Sequence, residues 1–277
     1  MKYKRSMRII LMTEHLLSKP NVNIPLTYFA ERFGQAKSSI SEDVQILKET
    51  FESNGIGLIK TSAGASGGVL FQPEVSVAEA RLVIDSMCSM LSDKERLLPG
   101  GYLFMSDIVG NPSLMHDVGR LFATVYQHER IDAVVTIATK GITIANAVGY
   151  AMNCPVAVIR KDNKVTEGST VSINYVSGST RKIETMVLSK RTLKEGSNVL
   201  IVDDFLRAGG SINGVIHLMN EFKANVVGIG VLAEVKGIEN RLIDNYVSLV
   251  AIEDIDEFRQ QFTVDHGNYL THLQANK

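Results

Sequence analysis

The chain has 277 residues, of which 45% are hydrophobic and 21% charged, so it is long enough for two domains with separate cores. It has no apolar leader and no run near the roughly twenty apolar residues of a membrane helix, which argues against a membrane protein and predicts a cytoplasmic location. Cys88 and Cys154 are the only cysteines, and the six histidines form no ligand-spaced cluster. We therefore expect neither a disulfide framework nor a metal site.

The net charge of -1 conceals an uneven distribution. Residues 1–73 hold nine Lys or Arg against six Asp or Glu. The first ten residues contain Lys2, Lys4, Arg5 and Arg8 and no acid, a local positive charge that attracts phosphate backbones. A solvated basic terminus is the alternative interpretation.

Helical patterns follow the basic residues. Apolar residues at helical spacing predict a first helix across residues 9–16, and Pro25 begins a second pattern that stops at Gly34. Ser39 and Glu42 fit a capping box, which predicts that a third helix starts there and ends near residue 54.

Two short strand-like runs, residues 57–60 and 69–72, are separated by small and polar residues at 61–68. Three helices followed by such a hairpin are typical of a winged helix-turn-helix domain, here residues 1–73. In that domain the third helix enters the major groove by its N-terminal end, and the wing lies along the backbone. The candidate DNA contacts are Lys2, Lys4, Arg5, Arg8, Lys37, Ser38, Ser39, Ser41 and Lys60. The alternative is that the module binds another protein.

A helical segment from residue 75 to about 98 begins the second predicted domain, residues 74–277. It carries more apolar residues than a solvated linker needs, so we expect it to pack against a neighbour. A second copy of the chain is the natural candidate, since DNA-binding proteins commonly use two-fold symmetry.

Short β-branched runs then alternate with helical stretches, which indicates an α/β domain around a largely parallel sheet. Ligands of such sheets bind where the strands end. The predicted strands are 133–138, 156–159, 199–202 and 226–232, and the predicted helices are 113–128, 143–152 and 211–223.

Residues 199–211 carry the strongest chemical pattern. An apolar strand leads to the adjacent carboxylates Asp203 and Asp204, and a loop of small residues then opens a helix. Glycines in that loop let backbone N–H groups surround a phosphate, and carboxylates accept hydrogen bonds from sugar hydroxyls. The pattern suits both ends of a ribose phosphate, although an acidic turn after a strand is the simpler alternative. The loop residues are Arg207, Ala208, Gly209, Gly210 and Ser211.

This pattern resembles the motif by which type I phosphoribosyltransferases bind 5-phosphoribosyl-1-pyrophosphate (PRPP). The resemblance implies that fold, with a parallel sheet and a flexible hairpin, and places Asp203 and Asp204 on the ribose hydroxyls. Two further segments resemble the family's pyrophosphate loop and mobile flap, and one aromatic side chain lies where a strand approaches the nucleotide. The implied effector-site residues are Thr139, Lys140 and Gly141 of the loop, Arg160, Lys161 and Lys164 of the flap, and Tyr102. The alternatives are that the loop is a plain turn, that the flap is a solvated basic hairpin and that Tyr102 simply packs.

The base-binding side departs from the enzymes. Arg207 stands where they carry a small or acidic residue, and Ala208 replaces a common threonine. Residues 253–256 and 264–269 offer no recognisable pairing for a nucleobase. We therefore expect no catalytic residues and an effector sensor in place of an enzyme.

Over essentially its whole length the chain resembles the purine operon repressors of Gram-positive bacteria. That resemblance implies a homodimer on double-stranded operator DNA, released by PRPP, with no required cofactor. Mg²⁺ is a candidate companion of PRPP, and guanosine tetraphosphate ((p)ppGpp) is a candidate competitor in the same pocket. A purine phosphoribosyltransferase with a regulatory N-terminal domain, an RNA-binding protein and a transcription activator remain alternatives.

Overall fold

The computed structural model describes residues 3–62, 64, 67–162, 167–176 and 183–275. It divides into two compact units, Met1–Ser76 with Tyr150–Asn153, and Val77–Gly149 with Cys154–Lys277, called here the N-terminal and C-terminal units. Within the described ranges, none of the helices combines the length and the apolar character that crossing a membrane requires.

The N-terminal unit has the predicted winged helix-turn-helix layout. Its three strands form an antiparallel sheet in the order β1-β3-β2, in which the short strand β1 was not expected from the sequence. The elements are α1 (Arg5–Leu17), β1 (Ile24–Pro25), α2 (Leu26–Phe33), α3 (Lys37–Ser53), β2 (Leu58–Thr61) and β3 (Gly68–Gln72).

The helices of this unit bury one apolar core, whose largest fully buried members are Met12, Leu16, Phe29, Ile40 and Phe51. In each helix, the spacing of the buried residues puts them on one face, as the sequence predicted.

The predicted capping box at Ser39 is wrong. Helix α3 begins two residues earlier, at Lys37, and its N-cap residue Ala36 supplies no side-chain hydrogen bond. The amide of Ile40 already donates to the carbonyl of Ala36 at 3.2 Å, so Ser39 lies inside the first helical turn. A residue with helical backbone angles is not at the N-cap position, where the capping geometry is available.

The C-terminal unit is an α/β structure whose predicted helices and strands are present within a few residues. Its remaining elements include two strands and a helix near the C-terminus that the sequence analysis did not predict. In chain order they are α4 (Val77–Leu91), β4 (Leu97–Leu98), β5 (Tyr102–Leu103), α5 (Ser106–Val109), α6 (Pro112–Val125), β6 (Ala133–Ile137), α7 (Gly141–Met152), β7 (Val156–Ile159), β8 (Thr170–Val176), β9 (Ile183–Ser189), β10 (Asn198–Leu206), α8 (Gly210–Glu221), β11 (Asn225–Val235), β12 (Val247–Asp256), β13 (Gln261–His266) and α9 (Tyr269–Ala275).

The central sheet has the order β13-β12-β11-β10-β6-β7, and its strands are parallel except for the antiparallel edge strand β13. Strands β6 and β10 are neighbours, with Ile201 opposite Val135, so their carboxyl ends meet at the same edge of the sheet. This adjacency brings the predicted pyrophosphate loop and the predicted ribose carboxylates together.

A separate hairpin is formed by β8 and β9, paired from Thr170 opposite Ser189 to Val176 opposite Ile183. It confirms a hairpin at the predicted flap, whose flexibility stays a prediction. The candidate Lys164 lies outside the described residues.

Helix α4 shows why an apolar face need not imply a second copy. Its buried residues Ala80, Ile84, Met87 and Leu91 pack within the C-terminal unit, against α6, α9, β12 and β13. The apolar stripe is covered by the chain's own domain, so it gives no support to a homodimer.

Candidate effector site and nucleic-acid interface

A cavity of about 520 Å³ opens at the carboxyl end of β10. A smaller one of about 250 Å³ lies beside it, and the two share Lys140, Asp203, Asp204 and Ser211 as lining residues. The larger cavity is lined by Tyr102, Lys140, Asp203, Asp204, Phe205, Leu206, Arg207, Ala208, Gly209, Gly210, Ser211, Ile212 and Ile238. Most of the predicted effector-site residues therefore line one continuous region.

Asp203 and Asp204 form the acidic part of this region. The amide of Asp204 donates to Oδ1 of Asp203 at 2.9 Å. Loss of hydration, and then the negative charge of Asp204, raise the pKa of Asp203 well above its usual range. Such a pair suits neutral hydroxyl donors, because each hydroxyl that donates to a carboxylate stabilises its charged form.

The predicted phosphate-binding loop requires glycine at position 209. Gly209 has a φ of 81°, and a Cβ there would lie 2.8 Å from Cγ1 of Ile243. Gly210 begins α8, whose first backbone N–H groups and helix dipole favour an anion. The amide of Leu242 donates to the carbonyl of Ala208 at 3.0 Å, which holds the loop from the other side.

The predicted pyrophosphate loop lies between β6 and α7. Thr139 and Lys140 line the smaller cavity, and Lys140 reaches the larger one as well. Gly141 begins α7, and a Cβ on it would collide with the Thr136 hydroxyl and lie 3.1 Å from Oδ1 of Asp203. The close approach of two strand ends therefore explains why glycine occupies this position.

Arg207 leaves the phosphate loop and reaches the β4–β5 hairpin. Its guanidinium donates to the carbonyl of Gly100, whose own amide donates to Oε2 of Glu257 at 2.9 Å. The Tyr102 ring lies 6.4 Å from the Phe205 ring, centroid to centroid. Sequence reasoning missed Phe205 and Glu257, although Phe205 directly follows the carboxylate pair.

The flap cations are held by neighbouring acids. Nε of Arg160 lies 3.2 Å from Glu167, and Nζ of Lys161 lies 2.6 Å from Glu184, which also accepts the Tyr175 hydroxyl at 2.8 Å. Over the part of the chain that the structure describes, Arg160 and Lys161 do not line either cavity. Their effector contacts stay predictions.

The candidate DNA contacts are mostly on the surface of the N-terminal unit. Lys4, Lys37, Ser38, Ser41 and Lys60 are exposed and Ser39 is half-buried, while Lys2 lies outside the described residues. Lys37, Ser38 and Ser41 lie in the first two turns of α3, the end that enters the major groove in this class of domain.

Arg8 is the exception. Its Nε lies 2.7 Å from Oδ2 of Asp43, a fully buried carboxylate that also pairs with Nε of Arg5 at 3.0 Å. The Arg8 side chain is only 9% exposed, whereas that of Arg5 is 51% exposed. The structure therefore assigns Arg8 to the packing of α1 on α3 instead of the DNA-facing surface. The available signal was Asp43 itself, an acid beside the apolar stripe of α3.

Two family models match the two units. The model for the bacterial purine repressor N-terminal domain covers residues 4–73, and that for the phosphoribosyl transferase domain covers residues 105–266. The adenine phosphoribosyltransferase of Thermoanaerobacter pseudethanolicus superposes on 60% of this chain and 98% of its own, at 18% identity and a TM-score of 0.53, which shows the fold alone. The fold and the two family models thus define a transcription regulator whose DNA-binding domain is joined to a phosphoribosyltransferase domain.

Full-length relatives identify the family. The purine biosynthesis transcriptional repressor PurR of Bacillus subtilis is 51% identical over 100% of this chain and 97% of its own length. The purine biosynthesis transcriptional activator PurR of Lactococcus lactis is 41% identical over 96% of this chain and 98% of its own. The chain belongs to the PurR family of purine biosynthesis transcription regulators.

Proposed function

We propose that the chain is a homodimeric repressor of purine biosynthesis genes, which binds operator DNA and releases it when PRPP occupies the cavity. The effector part of this proposal rests on one observation. The same cavity is lined by Asp203, Asp204, the Gly209–Ser211 loop and Lys140. Carboxylates for the ribose, a helix terminus for the 5-phosphate and a cation for the diphosphate match the three parts of PRPP.

Relatives of this chain include both a repressor and an activator. The identity is higher to the repressor, 51% against 41%, which favours repression. The activator is the second candidate, and expression of purine genes in a deletion strain distinguishes them. Loss of a repressor raises expression, and loss of an activator lowers it.

Guanosine tetraphosphate is the proposed competitor, because it too carries a diphosphate on a ribose and would need the same groups. The described residues contain no group of three or more His, Cys, Asp or Glu able to hold a metal ion. Mg²⁺ would be bound by the diphosphate of PRPP with the paired carboxylates nearby, since this ion usually combines one or two carboxylates with substrate phosphates.

PRPP can weaken DNA binding only if it binds the DNA-free protein more tightly than the DNA-bound protein. Linkage then requires that operator DNA lower the affinity for PRPP by the same factor. This reciprocity is measurable without knowing the conformational change.

The competing function, purine phosphoribosyl transfer, needs room for a nucleobase beside the ribose. Arg207 donates to the carbonyl of Gly100, and both Arg207 and Tyr102 line or border the cavity. By the resemblance to the enzymes, this long cation stands on the side that would receive the base. This arrangement supports a sensor that binds PRPP without consuming it.

A gel-shift titration of an upstream purine-operon fragment, with and without PRPP, tests the proposal. On the same sample, PRPP consumption is measured with adenine, guanine, hypoxanthine and xanthine. We expect a bound fragment that PRPP releases, and no turnover. Operator binding insensitive to PRPP contradicts the effector assignment, and base-dependent consumption supports the enzyme.

A further inference from the structure

The Thr136 hydroxyl occupies an unusual environment at the end of β6. The residue is fully buried, and within the described ranges its Oγ1 is the buried side-chain polar atom that has no hydrogen-bond partner. A hydroxyl withdrawn from water without a partner carries a desolvation penalty that an apolar side chain of the same shape avoids. Packing alone therefore does not explain threonine here.

The position of this hydroxyl points to the loop that follows. Thr136 lies one residue before the end of β6, and the Ala138–Lys140 segment connects that strand to α7. The Thr136 hydroxyl lies against Gly141, the first residue of α7, and Oδ1 of Asp203 approaches the same point. Helix α7 has twelve residues, and the N–H groups of its first turn have no partner within the helix.

The cross-strand neighbour of Thr136 is apolar. In the register with β7 it lies opposite Val158, whose side chain points to the same face of the sheet. Valine has the shape of threonine and would pack equally well against such a neighbour. The hydroxyl gives no hydrogen bond in the arrangement described.

We infer that Thr136 is a positioning residue for the diphosphate, whose hydroxyl gains its hydrogen bond from the 138–141 loop when the effector binds. This inference rests on the proposed function, in which PRPP occupies the cavity. The diphosphate aligns the loop amides, the loop moves against β6, and the Thr136 hydroxyl becomes paired. The hydrogen bond stabilises the effector-bound loop only.

The test uses the full chain with Thr136→Val, which keeps the shape, and Thr136→Ser, which keeps the hydroxyl. Thr124→Val is the matched control, because Thr124 is also buried but its hydroxyl donates to the carbonyl of Arg120 at 2.8 Å. Calorimetric titrations use PRPP and ribose 5-phosphate, which lacks the diphosphate. Thermal unfolding is recorded without ligand.

For Thr136→Val we expect PRPP affinity to fall about tenfold, equivalent to about 1.4 kcal/mol, with ribose 5-phosphate affinity and operator binding unchanged. The free protein should unfold at the same or a higher temperature, since the unpaired hydroxyl is gone. Thr136→Ser should bind PRPP as the wild type does. Thr124→Val should lower the unfolding temperature and leave both ligands unaffected.

Unchanged PRPP affinity in Thr136→Val, with normal binding by the wild type, overturns this inference and leaves the proposed function standing. A lower unfolding temperature with equal loss of both ligands assigns Thr136 a purely structural role, and also overturns it. If the wild-type protein itself does not bind PRPP, the proposed function fails and the inference fails with it.

Discussion

At the scale of single residues, the surroundings of Asp203 both destabilise and stabilise the charged form of its carboxyl group. It lies in the C-terminal half of β10 beside Asp204, where loss of hydration and the neighbouring charge raise its pKa. Its Oδ1 also accepts the amide of Asp204, which stabilises the charged form. A ligand that brings two hydroxyl donors would relieve the repulsion between the carboxylates. Under the proposed function, the pair would therefore be less favourable in the free protein than in a complex with the ribose of PRPP.

Replacing both carboxylates with amides of the same shape tests whether their charge is needed for the response to PRPP. In the Asp203→Asn, Asp204→Asn variant we expect operator binding within about twofold of the wild type and no release by PRPP, because charged acceptors of the ribose hydroxyls are lost. Gel shifts across a PRPP titration measure both properties. Glu129→Gln, at an exposed position outside the cavity lining, serves as the control. Release of DNA by PRPP at the wild-type concentration would contradict the assignment.

At the scale of elements, the contact of α1 with α3 depends on a buried charge cluster. Asp43 is fully buried on α3 and receives Arg8 at 2.7 Å and Arg5 at 3.0 Å, both from α1. Removing one partner of a buried ion pair leaves an uncompensated charge, which is more costly than the pair is stabilising. The cluster also fixes Arg5 beside the N-terminal half of α3, where the candidate DNA contacts lie.

Asp43→Asn should therefore lower the free energy of unfolding of the N-terminal unit by about 3–5 kcal/mol. Glu42→Gln is the adjacent control, since Glu42 lies 3.6 Å from Arg5 with its side chain 71% exposed. Its effect should stay below about 1 kcal/mol. Urea unfolding of the full chain, with hydrogen exchange followed at the amides of α1 and α3, separates the two variants. Equal effects of both substitutions would refute the buried-cluster account.

At the scale of the whole molecule, charge is divided between the units. The chain carries a net charge of -1, yet the first 73 residues hold nine basic and six acidic residues. Association with DNA therefore depends on the local field of the N-terminal unit, because exposed charges farther than about 10 Å apart are largely screened at 0.1 M salt.

Lys37→Glu should weaken operator binding and reduce the slope of log affinity against log salt by about one, the loss expected for a single phosphate contact. Lys194→Glu, an exposed position of the C-terminal unit, changes the net charge equally and should leave the slope unaltered. Binding isotherms from low to moderate salt measure the slopes. If both variants change the slope alike, Lys37 is not a phosphate contact.

Sequence alone determined the winged helix-turn-helix domain, the parallel sheet and most of the cavity lining, because these depend on local periodicity and on a contiguous motif at 199–211. It could not place Arg8, since its partner Asp43 is 35 residues away and the burial of both depends on how α1 packs on α3. The contact of Arg207 with Gly100 and the packing that covers α4 likewise join segments distant in sequence, and the lack of a partner for the Thr136 hydroxyl depends on such packing. Only the tertiary structure decided them, because burial and hydrogen-bond pairing are properties of the packed chain and are not encoded in the local pattern of residues.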